Sequence, residues 1–345
     1  MPPRVALVYN EPVPSRYDIV GETKAVFSIL EVAAEVSKSL LQLGYRVFRV
    51  PLVLPVTQAQ ELLRSLEADL IFNLFEGFSG YPETEAIVPE IATEIGIPYT
   101  GCPAHVLSLA LDKAKTKELL TAAGIKTPPY QVLTADTIPE FHLNFPCIVK
   151  PLKEDGSHGI TEMSLVRDTA ELARQVAEIS TVFGGFSLAE EFIDGREFNA
   201  TVIGNSSLTV LPISEIVYSL PPEMPRILTY AAKWEPGTTY FEGTEAVCPA
   251  KISEPQRKKI TDVALATYRA FQCHGYARVD MRLSKEGEIN VLEFNPNPDI
   301  APGTGAARQA AAAGMTYTQF IEKIVSLAQE KVKHECHHPP HVPRG

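Results

Sequence analysis

YARVDMRLSKEGEINVLEFNPNPDI, residues 276–300, is the stretch on which the reading of the chain turns. In YARVDMRL, alternation sends Val279, Met281 and Leu283 to one face and Arg278, Asp280 and Arg282 to the other. In EINVLEFN, Asn290, Leu292 and Phe294 oppose Glu293 and Asn295 in the same way. A two-residue turn at Glu286–Gly287 then sets Asp280 opposite Glu293, and Arg278 opposite Asn295. Like charges directly opposed on a ladder destabilise it. Two readings remove the conflict. In one, a hard cation such as Mg²⁺ is held by carboxylate and amide oxygens, with phosphate oxygens completing its shell. In the other, the face is solvated and its acids pair with Arg278 and Arg282. Pro296 and Pro298 oppose regular pairing beyond this point, and another acid, Asp299, follows them.

The bulk numbers bound the setting. A chain of 345 residues, 45% hydrophobic and 21% charged, suits two or three α/β domains. A net charge of −11 argues against a nucleic-acid backbone as the main ligand. The five cysteines are scattered without a CxxC pair, as expected of reduced thiols in a cytoplasmic protein. The chain enters an apolar strand, Val5–Tyr9, almost at once, so no signal peptide is expected. No apolar run is long enough to span a membrane.

Along the chain, strands at 4–9, 45–52 and 68–73 alternate with helices at 26–43 and 85–95, stopped by Gly44 and Gly96. This β-α-β order predicts a small doubly wound domain ending near Pro103. One helix is expected over 106–123. FPCIVK (145–150) reads as a strand with 161–166 as its partner, and 169–183 as an amphipathic helix. FSLAEEFI (186–193) and EFNATVIG (197–204) are expected to form a hairpin at Asp194–Gly195. Tyr218–Cys248 is a long irregular stretch of the kind that serves as a functional loop. A helix at 254–273, the hairpin at 276–295 and a helix at 317–332 complete the pattern.

Three lysines are placed to meet phosphates. Lys150 ends a strand before the loop DGSHG, whose backbone N–H groups can cradle anions. Lys113 lies in the helix after the first domain, and Lys233 in the long irregular stretch. Taken singly, each reads better as a solvent-facing lysine, and no Walker motif is present. Trp234 either stacks on a ligand or packs within a lid. His334, His337, His338 and His341 with Cys336 form either a metal-binding tract or an unscaffolded tail.

Taken together, these residues resemble the ATP-grasp superfamily, nearest to its D-alanine–D-alanine ligase-like branch. The segments that carry the likeness are 96–130, CIVKPLKEDGSHGI (147–160), EEFIDGREF (190–198) and 277–298. The resemblance implies an α/β ATP-grasp architecture. Residues 1–104 would form an N-terminal domain. Residues 105–190 and 191–332 would be two lobes sandwiching ATP, with 333–345 as a tail. By the same likeness, Lys113, Lys150 and Lys233 contact ATP phosphates and Ser157 closes over them. Glu190 and the backbone of Glu191–Ile193 form the adenine linker, and Glu197 binds the ribose. Asp280, Glu293 and Asn295 hold two Mg²⁺ ions, for which Mn²⁺ can substitute. Arg278 stabilises a tetrahedral intermediate, and Tyr218–Cys248 is a mobile lid. The implied reaction joins a carboxylate to an amine through an acylphosphate, releasing ADP. The implied partners are small molecules and a second copy of the chain, with no nucleic acid and no membrane.

The substrate positions depart from that pattern. The family's substrate-binding histidine, loop serine and tyrosine fall at Glu76, Gly156 and Trp234. Asp299 stands for a glycine and Thr304 for a serine. The acid–valine–serine element is not clear in 17–24, although Glu22 lies nearby. Extra acids at Glu76 and Asp299 suit a substrate with an amine or cationic group; alternatively Asp299 pairs with Arg308. A D-alanine–D-alanine ligase with a divergent pocket, and a non-catalytic ATP-binding module, are the competing readings. An oxyanion-binding arginine is of no use to the latter.

Overall fold

The computed structural model describes residues 1–13, 21–22, 24–78 and 81–335. Three sheets are built in chain order. The first is parallel, with order β2-β1-β3: β1 (Arg4–Asn10), β2 (Arg46–Leu52) and β3 (Leu70–Leu74). Its middle strand is apolar from Val5 to Tyr9 because both faces are covered there. Val5, Leu7 and Tyr9 face one core with helix α1 (Lys24–Gln42). Ala6 and Val8 face another, with α2 (Val56–Arg64) and α3 (Ile87–Ile95). The doubly wound expectation is met, and α2 is an element the sequence reading passed over.

The helix expected over 106–123 is two helices, α4 (Ala104–Leu111) and α5 (Lys113–Ala122). Asp112 separates them. Its backbone is extended, and its carboxylate accepts from Ala114 N and Lys115 N at 3.2 Å, capping α5. This break sets Lys113 at the first turn of a new helix.

The second sheet has order β4-β7-β5-β6, antiparallel throughout: β4 (Tyr130–Leu133), β5 (Cys147–Pro151), β6 (Leu165–Val166) and β7 (Ser187–Glu191). Helix α6 (Thr169–Val182) covers one face through Leu172, Val176 and Ile179. The third has order β11-β10-β8-β12-β13, with β9 (Thr209–Val210) paired to β8. Its other strands are β8 (Arg196–Ile203), β10 (Ser214–Tyr218), β11 (Thr244–Val247), β12 (Tyr276–Leu283) and β13 (Ile289–Pro296). Helix α9 (Glu254–Ala270) packs with α4 on one face, against Phe198, Ala200, Val279, Met281 and Phe294.

The hairpin expected at Asp194–Gly195 does not form, because β7 and β8 belong to different sheets. The glycine has another purpose. A Cβ on Gly195 would lie 1.8 Å from the Leu283 carbonyl oxygen, so the chain passes the end of β12 too closely for any side chain.

The β12–β13 hairpin forms, with a turn longer than expected. Leu283 pairs with Ile289, and Ser284 N donates to Glu288 O, leaving a three-residue loop. A bulge then shifts the register between Asp280 and Met281, so Asp280 does face Glu293 and Arg278 does face Asn295. The bulge also breaks the alternation expected of β13. Ile289, Val291 and Phe294 enter the core, while Leu292 is only half-buried. Pro296 still pairs with Ala277, which is tolerated because β13 is an edge strand.

Tyr218–Cys248 is more ordered than expected. It leaves β10, forms the short helices α7 (Tyr230–Trp234) and α8 (Thr239–Glu242), and returns as β11, which pairs with β10. After β13, α10 (Gly305–Ala312) leads to α11 (Tyr317–Glu335). Phe320, Ile321 and Ile324 of α11 pack onto the first sheet beside α1, so the last described helix completes the first core. Residues 336–345, with most of the histidine-rich tract, lie outside the described residues, as do 14–20 and 23 of the early segment. No helix among the described residues is long and apolar enough to cross a membrane.

Candidate active site

The face of the third sheet opposite α9 supplies the site. Alternation turns Glu197 and Asn199 of β8, Arg278, Asp280 and Arg282 of β12, and Glu293 and Asn295 of β13 away from the α9 core. Asp280 is the hub. Its Oδ1 accepts from Arg278 Nε at 2.7 Å and Asn199 Nδ2 at 2.6 Å. Its Oδ2 accepts from Arg278 Nη2 at 2.8 Å and Asn295 Nδ2 at 2.9 Å. Burial opposes the Arg278 charge, but Asp280 and Glu293 more than offset it and hold the guanidinium above its ordinary range. Asn199 was missed in the sequence, although period-two alternation places it beside Glu197.

Glu293 is balanced from another element. Its Oε1 lies 3.1 Å from the Lys113 ammonium, which also donates to the Glu154 carbonyl and approaches Asp155 Oδ1 at 3.5 Å. Burial alone would lift the Glu293 carboxyl. Lys113, Lys150 and Lys233 draw it down to about 2. Two carboxylates and an amide thus converge from adjacent strands, a hard-oxygen set suited to a hard divalent cation. The pairing of Asp280 with Arg278 also realises half of the solvated-face alternative. Arg282 does not join it and binds Glu197 at 2.7 Å instead.

Across the cleft lies the loop after β5. Lys113, Lys150, Asp155, Ser157, His158 and Glu293 line one cavity. Ser157 holds φ 65°, in the left-handed region. Its Oγ donates to Leu228 O at 3.1 Å, Tyr230 N donates to Ile160 O at 3.0 Å, and Trp234 Nε1 reaches Gly156 O at 3.4 Å. These three bonds fasten the loop to the excursion that carries Lys233. Burial, then Arg278, lowers the Lys233 ammonium. A contact absent from the sequence reading joins the same loop to the N-terminal segment: His158 Nδ1 lies 2.6 Å from Glu22 Oε2.

The residues expected to form the adenine linker and ribose site are already engaged within the protein. Glu190 is 1% exposed and meets Lys150 at 2.8 Å and Lys117 at 3.4 Å. Glu191 Oε1 accepts from Asn144 N at 3.0 Å, and Ile193 O accepts from Arg282 Nη1 at 3.0 Å. Glu197 Oε2 accepts from Arg282 and from the Tyr218 hydroxyl at 2.9 Å.

At the other end of the cleft, Glu76 is accessible to solvent yet ringed by protein. Burial, then Asp299 and Asp155, lift its carboxyl to about 7. Glu85, also missed in the sequence, is pushed well above its ordinary range by burial and by Asp155 and Glu76. Asp299 Oδ1 accepts from Ala301 N at 2.8 Å. Arg308 turns to Gly303 O at 2.6 Å, and no ion pair joins it to Asp299 among the described residues. Thr304 Oγ1 donates to Ala301 O at 2.7 Å.

Known proteins resemble this chain in sequence and in fold. A family model described as the D-alanine–D-alanine ligase C-terminus matches residues 119–326. An uncharacterised protein of Sinorhizobium fredii is 35% identical over 76% of this chain and 75% of its own length. A D-alanine–D-alanine ligase of Carboxydothermus hydrogenoformans is 30% identical over 87% of this chain and 93% of its own. The crystal structure of the Bacillus anthracis D-alanine–D-alanine ligase superposes with a TM-score of 0.73. It is 21% identical, over 97% of this chain and 100% of that one, a likeness of fold. The chain belongs to the D-alanine–D-alanine ligase family of ATP-dependent carboxylate–amine ligases.

Proposed function

We propose that the protein joins a carboxylate to an amine-bearing substrate through an acylphosphate, at the cleft between the loop after β5 and the polar face of the third sheet. The observation that carries this reading is the meeting of Arg278, Asp280, Glu293 and Lys113 from three elements, in reach of Lys150 and Ser157. Carboxylate oxygen attacks the γ-phosphorus of ATP, and ADP leaves. The amine nitrogen then adds to the acyl carbon, phosphate departs with the C–O bond electrons, and the nitrogen loses a proton.

Each residue answers a physical need of that sequence. Lys113, Lys150 and Lys233 offset the charge of the phosphate chain, and the Ser157 loop supplies backbone donors. Asp280, Glu293 and Asn295 would hold Mg²⁺, which supplies charge neutralisation on the transferring phosphoryl group. Two such ions, replaceable by Mn²⁺, belong to this reading. Arg278, oriented by Asp280 through Nε and Nη2, would offer its positive charge and remaining N–H groups to the tetrahedral oxyanion. The bonds from α7 and Leu228 to the loop keep water from the acylphosphate. Glu190, the Glu191–Ile193 backbone and Glu197 would receive adenine and ribose. Trp234 and Thr304 border the substrate.

Glu76 and Asp299 give the substrate end a surplus of negative charge, which favours an ammonium or other cationic group and disfavours D-alanyl-D-alanine as the product. The second reading, a D-alanine–D-alanine ligase with a divergent pocket, draws on the names of the relatives. The oligomer proposed is a homodimer, tested by sedimentation velocity. Oxygen-18 in the acid substrate tests the chemistry. One label should appear in the released phosphate for each amide formed; phosphate without label refutes the acylphosphate.

A further inference from the structure

Lys117 is a buried lysine with no place in the scheme above. It sits on α5, one turn after Lys113, and is 1% exposed. Its ammonium lies 2.8 Å from Thr127 Oγ1, 3.4 Å from Glu190 Oε2 and 5.7 Å from the Tyr130 ring centroid. Thr127 in turn donates to Val291 O of β13 at 2.8 Å. Glu190 is therefore held between two lysines, with Lys150 on its other oxygen at 2.8 Å. One of these two also lines the phosphate-side cavity, and that one is Lys150. It cannot give its ammonium fully to Glu190 and to a nucleotide together.

We propose that Lys117 is a positioning residue for nucleotide binding: it keeps Glu190 paired when Lys150 turns from Glu190 to the phosphates. The inference rests on the reading that Lys150 meets phosphate. The physical need is plain. Glu190 is buried, and an ionised carboxylate stripped of its only cation inside a protein is strongly unfavourable. With Lys117 in place the handover leaves a paired Glu190 and a free Lys150.

The charges around Lys117 add a signature. Burial opposes its charged form most, joined by Lys150 on β5, while Glu190 on β7 and Glu293 on β13 favour it. The balance brings the ammonium down to about 8. When Lys150 moves toward phosphate, its repulsion of Lys117 weakens and Lys117 binds a proton more tightly. Above pH 8, nucleotide binding should therefore take up a proton; well below it, none.

Calorimetry with Mg²⁺ and the non-hydrolysable analogue AMPPNP, in buffers of differing ionisation enthalpy, reads this directly. The wild type should take up close to one proton at pH 9 and almost none at pH 7. Lys117→Met should bind at least tenfold more weakly at pH 7 and take up none at pH 9. Lys117→Arg keeps the charge but does not titrate, so affinity should persist without proton uptake. In a Glu190→Gln background, Lys117→Met should cost less than threefold, because the acid it serves is gone. Wild-type affinity and uptake in Lys117→Met, uptake persisting in Lys117→Arg, or full additivity with Glu190→Gln each overturn the inference. Lys150→Met separates it from the reading beneath. Unchanged affinity there refutes the phosphate site itself; weakened affinity there with none lost in Lys117→Met refutes only the handover.

Discussion

Glu76 is exposed at its surface, but the protein around its carboxyl, then Asp299 and Asp155, raise it to about 7. It is neutral well below pH 7 and anionic above. A cationic substrate should therefore bind better as pH rises through about 7, with kcat/KM following and Glu76→Gln removing that limb. The same shift bears on stability. A carboxyl raised in the folded state favours folding while protonated, and that advantage is lost as pH rises from the unfolded value, near 4.5, to about 7. Glu76→Gln should accordingly melt higher than wild type at pH 8 and level with it below pH 4, by calorimetry. Arg278 poses a different test. Arg278→Lys keeps a charge but loses the fork on Asp280. Its kcat should fall by about 10²–10³, with the KM for ATP little changed, measured by steady-state ADP release. Residues such as Arg278, Asp280 and Glu293 were legible in the sequence because they share one hairpin, where alternation fixes their faces. Lys117, His158 and Glu85 were not. Each takes its meaning from a partner distant in the chain, and a lysine or histidine alone does not announce a buried carboxylate.

Strands and turns tell a similar story. The facing of Asp280 and Glu293 was foreseen from a two-residue turn, yet the protein reaches it with a longer loop and a compensating bulge. The strand periodicity was visible in the sequence; the bulge was not, because no residue type in VLEFN demands one. Phe294 explains why the bulged strand holds its place. It stacks on Phe271 with centroids 4.0 Å apart, between Glu293 and Asn295. Phe294→Ala should destabilise by about 3–5 kcal/mol in urea unfolding. Gly195 was read as a turn residue, and the same sequence signal concealed a steric need. Gly195→Ala should cost about 1–3 kcal/mol, since its new methyl meets the Leu283 carbonyl.

At the scale of the molecule, three sheets meet around one cleft, and the 293–300 stretch is pinned at both ends. Phe294 is anchored in the core of the third sheet and Ile300 in the core of the first. Between them Asn297, at φ 49°, accepts from Cys102 N at 2.7 Å, in space that only a glycine at 101 leaves open. Metal-binding candidates and Asp299 thus ride on one segment clamped between two hydrophobic cores. The alternation of elements made the first parallel sheet and its helices readable from sequence. The return of α11 to that sheet was not, since an amphipathic helix does not say which sheet it covers. The most direct test of the whole account is ADP formation from MgATP in pools of carboxylates and amines. The account predicts ADP only when a particular acid and amine are present together, with one amide per ADP by mass spectrometry. ATP binding without turnover in every pool, or ADP release indifferent to the amine, would contradict it.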